Sequence, residues 1–272
     1  MMKKKRLDVV LVERNLIETR EKAKRTIMAG LVYSNSERLD KPGMKVPTDI
    51  PIKIKQHLHP YVSRGGLKLE KALDEFSIDV QGKILIDVGS STGGFTDCAL
   101  QRGAKMSYAI DVGYNQLDWK LRSDDRVVVM ERTNFRYVSP DMLQKGTPNF
   151  ATVDVSFISL TLILPVLRTL LEKNSDIVIL IKPQFEAGRE QVGKGGIVKD
   201  PKVHFQVIQN ILDFATKEQY DLLNLTYSPI TGGEGNIEYL AHLGWEKDDQ
   251  TKRKALEIQE VIDEAHKLLQ KK

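Results

Sequence analysis

The apolar positions of this chain change their period along its length. In the first 30 residues Leu7, Val10, Leu11 and Ile17 fall at helical spacing, and Thr19 is placed to cap a second helix, Arg20 to Ala29, which Gly30 would close. Short apolar runs at 31–33 and 50–54, separated by Lys41-Pro42-Gly43, predict strands joined by turns. From residue 83 the rhythm is longer. Apolar runs at 83–88, 105–111, 126–130, 149–155, 176–182 and 221–227 predict strands, and 94–102, 115–122, 158–173 and 202–216 predict helices between them. Such alternation predicts an α/β domain with a parallel, doubly wound sheet. Ligands of such sheets sit at the carboxyl ends of the strands, where strand order reverses. Beyond Trp245, residues 248–251 can start a helix in which Ala255, Ile258, Ile262, Ala265 and Leu269 repeat every three or four positions, between many charges. That pattern predicts an amphipathic helix packed on the body or on a partner, so a homodimer is one use for it.

Length and composition narrow the class. The 272 residues suffice for a large domain with a small one attached, and 41% hydrophobic with 29% charged residues is ordinary for a globular protein. No apolar run approaches the roughly 18 residues of a membrane span, and the basic start Met1 to Arg6 lacks the apolar core of a signal peptide. A single cysteine, Cys98, excludes an internal disulfide framework and suits a reducing cytoplasm, the expected location. The five histidines and Cys98 show no zinc-ligand spacing, so no metal is expected. The net charge of +4 is unevenly spread, because residues 1–66 hold 15 Lys+Arg against 7 Asp+Glu. A basic small unit on a mildly acidic body predicts a polyanionic partner. The boundaries expected are a module at 1–58, a linker at 59–64, the large domain at 65–245 and the terminal helix at 246–272.

Candidate chemistry centres on the stretch from Ile84 to Thr96, an apolar run ending in Asp87 and followed by Gly89-Ser90-Ser91-Thr92-Gly93-Gly94-Phe95. Strand, tight turn and helix start bring bare backbone and unpaired N–H groups to a ligand. The spacing Gly89-x-x-x-Gly93-Gly94 misses the dinucleotide fingerprint Gly-x-Gly-x-x-Gly. An acidic residue ending the second strand, Asp111, suits ribose hydroxyls, and carboxylates favour a sulfonium over a pyrophosphate. A second glycine cluster, Gly188 to Gly195, approaches a P-loop but ends in glycine where Ser or Thr would hold magnesium, and no apolar helix follows. It is expected to be a loop over the site.

Several long motifs then coincide: Tyr61-Val62-Ser63-Arg64-Gly65-Gly66-Leu67-Lys68-Leu69, the glycine turn from Asp87 to Asp97, Asp154-Val155-Ser156-Phe157-Ile158-Ser159-Leu160, and Ile181-Lys182-Pro183-Gln184-Phe185-Glu186. With Asp111-Val112-Gly113-Tyr114, Glu131-Arg132-Thr133-Asn134 and Gly235-Asn236-Ile237-Glu238, they resemble the TlyA-type haemolysin/ribosomal-RNA methyltransferase family over about residues 5 to 243. The pattern Arg6-Leu7-Asp8, Leu11-Val12, Asn15-Leu16, Thr19-Arg20, Ala23, Ile27, Gly30-Leu31-Val32 and Lys41-Pro42-Gly43 likewise resembles the RNA-binding module first known from ribosomal protein S-four.

The resemblance implies a class I, Rossmann-like methyltransferase domain using S-adenosylmethionine, behind a small α+β RNA-binding module. It implies 2′-O-methylation of a cytidine in ribosomal RNA, with ribosomal subunits as partners. It places a Lys-Asp-Lys-Glu tetrad at Lys68, Asp154, Lys182 and Glu238. Lys182 would take the hydroxyl proton or steady the forming alkoxide, Asp154 would orient it, and Glu238 would fix the lysines. Cofactor contacts are expected from Asp87, Gly89, Ser90, Ser91, Thr92, Gly93, Gly94, Phe95, Asp111 and Asn134. RNA contacts are expected from Arg6, Arg14, Arg20, Lys22, Lys24, Arg25 and Arg64, which would grip phosphate without reading sequence. Phe95, Phe157 and Phe185 would wall the methionine tail, stack on a flipped base, or pack in the core. Two rival functions remain, a membrane-active haemolysin and an RNA-binding protein without catalysis. The apolar pattern opposes the first; the intact tetrad and glycine turn oppose the second.

Overall fold

A computed structural model describes residues 4–28, 30–35, 37–54, 59–247 and 257–269, and its contacts divide the chain into Met1–Pro60 and Tyr61–Lys272. The first unit contains β1 (Lys4–Arg6), α1 (Leu7–Glu13), α2 (Arg20–Met28), β2 (Val32–Ser34), β3 (Glu37–Arg38), β4 (Lys45–Pro47) and β5 (Lys53–Ile54). β1 pairs antiparallel with β4, and β2 lies antiparallel between β3 and β5. Leu7, Val10, Leu11 and Ile17 are buried, as their helical spacing predicted, together with Ala23, Ile27 and Val32. Thr19 Oγ1 accepts from the Lys22 N–H at 3.2 Å, capping α2. Ala29, the expected last residue of that helix, lies outside the described residues.

The second unit runs α3 (Gly66–Phe76), β6 (Ile84–Val88), α4 (Gly94–Gln101), β7 (Met106–Ile110), α5 (Trp119–Arg122), β8 (Val127–Met130), β9 (Phe150–Val153), α6 (Leu164–Leu167), β10 (Ser175–Ile181), α7 (Pro183–Glu186), α8 (Pro201–Lys217), β11 (Asp221–Tyr227), β12 (Tyr239–Trp245) and α9 (Ile258–Leu269). Its seven-stranded sheet has the order β11-β12-β10-β9-β6-β7-β8. The ladders among β8, β7, β6, β9 and β10 are parallel, and β12 is antiparallel to both of its neighbours. Strand order turns back between β6 and β9, so a crevice opens at their carboxyl ends. Side chains alternate between two apolar cores. Ile86, Val88, Ile179 and Ile181 face one, and Leu85, Val178 and Leu180 face the other, beside α3 and α4. A sheet covered on both faces gives continuous apolar strands, hence their clear signal.

Four expectations change. β12 was not predicted, because His242 and Gly244 break its apolar run, yet its first six residues are buried. The long helix expected at 158–173 is a short turn followed by α6, since Pro165 removes a backbone donor and blocks a continuous helix through it. The helix expected at 115–122 begins only at Trp119, where the Asp118 carboxylate accepts from the Lys120 N–H at 2.9 Å. The polar link expected at 59–64 belongs to the second unit from Tyr61 onward. Tyr61 is buried and its hydroxyl donates to Glu70 at 2.6 Å, while the Val62 N–H donates to Asp97 at 2.8 Å. On α9, Ile258, Ile262 and Ala265 are buried in the core that α8 and β11 share, so its apolar face covers the body of its own chain. Ala255 and the expected helix start at 248–251 lie outside the described residues.

Candidate active site

Four neighbouring strands end at the crevice in the order β12, β10, β9, β6, and each end carries a motif. Glu238 precedes β12, Lys182 follows β10, Asp154 follows β9, and the glycine turn follows β6. The antiparallel course of β12 puts its first residue, Tyr239, opposite Ile181, the last of β10. Glu238 and Lys182 therefore share one edge. Lys68 arrives from the first turn of α3; helical side chains lean toward the N-terminus, here toward that same edge. The four charges form a continuous chain. Lys68 Nζ lies 2.6 Å from Glu238 and 3.9 Å from Asp154, and Lys182 Nζ lies 2.5 Å from Asp154. Lys182 also donates to Ser156 Oγ at 3.1 Å. Lys68, Lys182 and Glu238 are 7%, 8% and 2% exposed, an arrangement that two positive and two negative charges make tolerable by mutual pairing.

Two cavities meet at this chain. One, of about 220 Å³, is lined by Ser63, Gly65, Gly89 to Thr92, Gly94, Phe95, Asp154, Ser156 and Lys182. The other, of about 420 Å³, includes Arg64, Lys68, Phe157, Gln184, Phe185, Gly195, Gly196, Gly232 and Glu238. Ser156 and Lys182 belong to both. The glycine turn leaves no room for side chains at three points: Gly89, at φ +83°, would press a Cβ into the Asp154 carbonyl, Gly93, at φ +95°, into Leu121, and Gly94 into Ser63 Oγ. Gly195 and Gly196 place the loop that resembled a P-loop on the wall of the larger cavity.

The remaining expected cofactor residues divide. Ser90, Ser91, Thr92 and Phe95 line the first cavity. Asp87 does not; it is wholly buried beneath the turn and accepts from Thr96 N, Thr96 Oγ1 and Thr152 Oγ1 at 3.1, 2.7 and 2.8 Å. Burial pushes its carboxyl up to about 6, and its bonds to Thr96 and Thr152 tie the start of α4 to the sheet. Asp111 accepts from Ser91 N at 2.8 Å and Gly113 N at 2.6 Å, bracing the turn from its side. Asn134 caps a short turn by accepting from Arg136 N at 3.2 Å and is not a lining residue. Gly93 lies behind the lining, against Leu117 and Leu121.

Ser63, Ser156 and Gln184 line the cavities without having been singled out. Each lay inside a quoted motif, and position within the motif was the available signal. Phe157 is the most conspicuous aromatic: it is 90% exposed at φ +62°, with its ring 4.8 Å from that of Phe185. A left-handed phenylalanine is sterically costly and marks a position held for a purpose.

The basic residues of the first unit are mostly engaged. Arg6 and Arg20 both reach the buried Asp8 carboxylate at 3.0 Å, and their hydrogen bonds, the Arg6 bond foremost, pull it down to about 2. Arg14 donates to the Ile50 carbonyl at 2.6 Å, and Lys22 and Lys24 pair with Glu18 and Glu21 on the exposed face of α2. The Arg25 side chain lies outside the described residues. Arg64 stands apart, on the wall of the larger cavity.

Fold and crevice together define a doubly wound α/β domain with a ligand site at the carboxyl ends of its strands. Comparison with known proteins agrees: residues 61–245 match the model of the FtsJ-like methyltransferases, and residues 5–49 match the S4 domain. The chain belongs to the FtsJ-like methyltransferase family. It is 65% identical to YqxC of Bacillus subtilis, over 99% of this chain and 97% of that protein. It is 40% identical to the 16S/23S rRNA (cytidine-2′-O)-methyltransferase TlyA of Mycobacterium tuberculosis, over 94% of this chain and 96% of that one. A solved structure from Streptococcus thermophilus that bears the name hemolysin is 51% identical, with a TM-score of 0.75 over 98% of this chain and 97% of its own.

Proposed function

We propose that this chain transfers a methyl group from S-adenosylmethionine to the 2′-hydroxyl of a cytidine in ribosomal RNA. The observation that carries the proposal is the sharing of Lys182 and Ser156 between two cavities, one walled by the glycine turn and the other by aromatic rings and loops. The first cavity suits the cofactor by its chemistry: hydroxyls, open backbone and Phe95 for an uncharged body, and the Asp154 carboxylate for a cationic centre. Once bound, the cofactor supplies an electrophilic methyl on a sulfonium. Everything else falls to the chain. The larger cavity receives the target nucleotide, with Phe157 and Phe185 offering ring faces to its base. Lys182 meets the 2′-oxygen, taking its proton or holding the developing alkoxide. Asp154 orients Lys182, and Glu238 anchors Lys68 beside them. Holding oxygen and methyl carbon in line is the larger share of the acceleration. The basic first unit adds affinity for RNA phosphates.

Transfer of labelled methyl to intact ribosomes and to separated subunits, followed by mapping of the modified ribose, tests this directly. Lys182→Ala should lower the rate roughly 10²-fold or more; near-normal transfer by that variant would refute the role given to Lys182. The name hemolysin in a relative points to a second activity. No helix among the described residues is long and apolar enough to cross a membrane. Leakage from liposomes caused equally by wild type and Lys182→Ala would establish lysis independent of methyl transfer.

A further inference from the structure

One residue lining the larger cavity has a buried polar atom without a hydrogen-bond partner among the described residues. Gln184, in the second position of α7, donates from Nε2 to Glu238 Oε1 at 3.3 Å. Its other amide atom, Oε1, is buried and has no hydrogen-bond partner among the described residues. The orientation is set by chemistry. A carboxylate only accepts, so the NH₂ group must face Glu238 and the carbonyl must face away. Buried carbonyl oxygens without a partner are uncommon and mark a site completed by something else. The donor side chains on the same wall, Arg64, Lys68, Ser156, Lys182 and Asn236, make no bond to it; beside them the wall presents the Phe157 and Phe185 rings and the bare backbone of Gly195, Gly196, Gly232 and Gly233. Beside the row of charges, two rings, bare backbone and an acceptor still to be paired suit a flat ligand bearing an N–H.

We infer that Gln184 Oε1 accepts a hydrogen bond from the exocyclic amino group of the target base, and so separates cytidine from uridine. The inference rests on the activity proposed above. Within an RNA chain the 3′ and 5′ oxygens are esterified, leaving only 2′-hydroxyls and base N–H groups as donors. The target's own 2′-hydroxyl is committed to Lys182. For a cytidine target, the remaining donor of the nucleotide itself is the cytosine amino group, at the edge of the ring away from the ribose. Uracil carries a carbonyl oxygen at that position, so two acceptors would face each other in a buried site. A site built to bond one group rejects the analogue that lacks it more strongly than an apolar pocket can.

The test compares ribosomal subunits carrying cytidine or uridine at the mapped position, with kcat/KM for methyl transfer measured for wild type and Gln184→Met. Wild type should favour cytidine by on the order of tenfold or more. Gln184→Met, of similar length but without the acceptor, should bring the two substrates within about twofold of each other, whatever it does to the absolute rate through Glu238. Unchanged S-adenosylmethionine affinity of the variant establishes that the domain is folded. Wild type accepting uridine as readily as cytidine overturns the inference without reference to any variant. So does a variant that slows both substrates equally, which would make the partner of Gln184 a backbone hydroxyl of the RNA. Absence of transfer to the cytidine subunits by wild type would overturn the proposed activity itself, and this inference with it.

Discussion

The alternating charges Glu238, Lys68, Asp154 and Lys182 permit a quantitative test of how the site is held. The perturbation is the pair Lys68–Glu238, 2.6 Å apart, with neither residue more than 7% exposed. Glu238→Gln keeps the shape but leaves Lys68 with a single carboxylate at 3.9 Å, which Lys182 already holds at 2.5 Å. Removing one partner of a buried pair costs about 3–5 kcal/mol. The shared Asp154 places this variant near the lower figure. Lys68→Met leaves Glu238 buried with, among the described residues, the Gln184 amide at 3.3 Å as its side-chain donor, and belongs near the upper figure. The double variant retains no uncompensated charge from the pair, so its cost should fall to about 1–2 kcal/mol, far below the sum of the single costs. Both tryptophans, Trp119 and Trp245, lie in the second unit, so their fluorescence during urea unfolding follows that unit without interference from the first. Additivity of the three variants within about 0.5 kcal/mol would refute the coupling. Methyl transfer should be impaired in all three, which separates the stability the pair provides from its service to the reaction.

Two further outcomes follow from single residues. Gly89→Ala forces a Cβ into the Asp154 carbonyl at φ +83°, and should cost about 1–3 kcal/mol while abolishing S-adenosylmethionine binding in equilibrium dialysis; retained binding would remove the glycine turn from the cofactor site. His204, fully buried with its ring nitrogens near Tyr239 Oη, His266 Nε2 and the Val198 carbonyl, is pulled by burial from 6.5 down to about 4. A base with a depressed folded value favours its neutral form, so its stabilising contribution is present above pH 6.5 and is lost as pH falls through 4, by roughly 3 kcal/mol. Asp87, pushed up to about 6, acts in the opposite sense, since its ionisation costs stability as pH rises from 4 to 6. The difference in unfolding free energy between wild type and His204→Gln isolates the histidine, and should shrink as pH falls below 6.5; a constant difference would refute the assignment.

Periodicity located most of the sheet because five of its strands are paired in parallel and covered on both faces, which leaves an unbroken apolar signature. It could not weigh burial against pairing. Asp87 ends its strand as a ligand-binding carboxylate would, but its side chain points into the space between β6 and α4, where two threonines hold it. Nor is a count of arginines a count of charges on offer. Arg6 and Arg20 converge on a carboxylate that the sequence shows only as one of 37 acidic residues. Gln184 lay within a motif, but nothing in the sequence marks its unpaired oxygen, since an unsatisfied atom exists only once its neighbours are in place.

The deepest gap was β12, and it bears on how the four charges come together. Adjacent strands lie roughly 4.8 Å apart, so Glu238, Lys182, Asp154 and the glycine turn span about three such intervals along one edge. Three of these four positions follow their strands, as ligand-facing residues of a parallel sheet must. Glu238 precedes its strand. In a strand parallel to β10, a residue in that position would sit at the opposite end of the sheet, away from Lys68 and the crevice. Only because β12 runs the other way, with Tyr239 against Ile181, does the residue before it complete the row. The reversal also gives Lys68 its closest carboxylate, at 2.6 Å, and gives Gln184 the acceptor that turns its carbonyl away from Glu238. One change of strand direction therefore sets both the charge balance along this edge and the unpaired acceptor beside it.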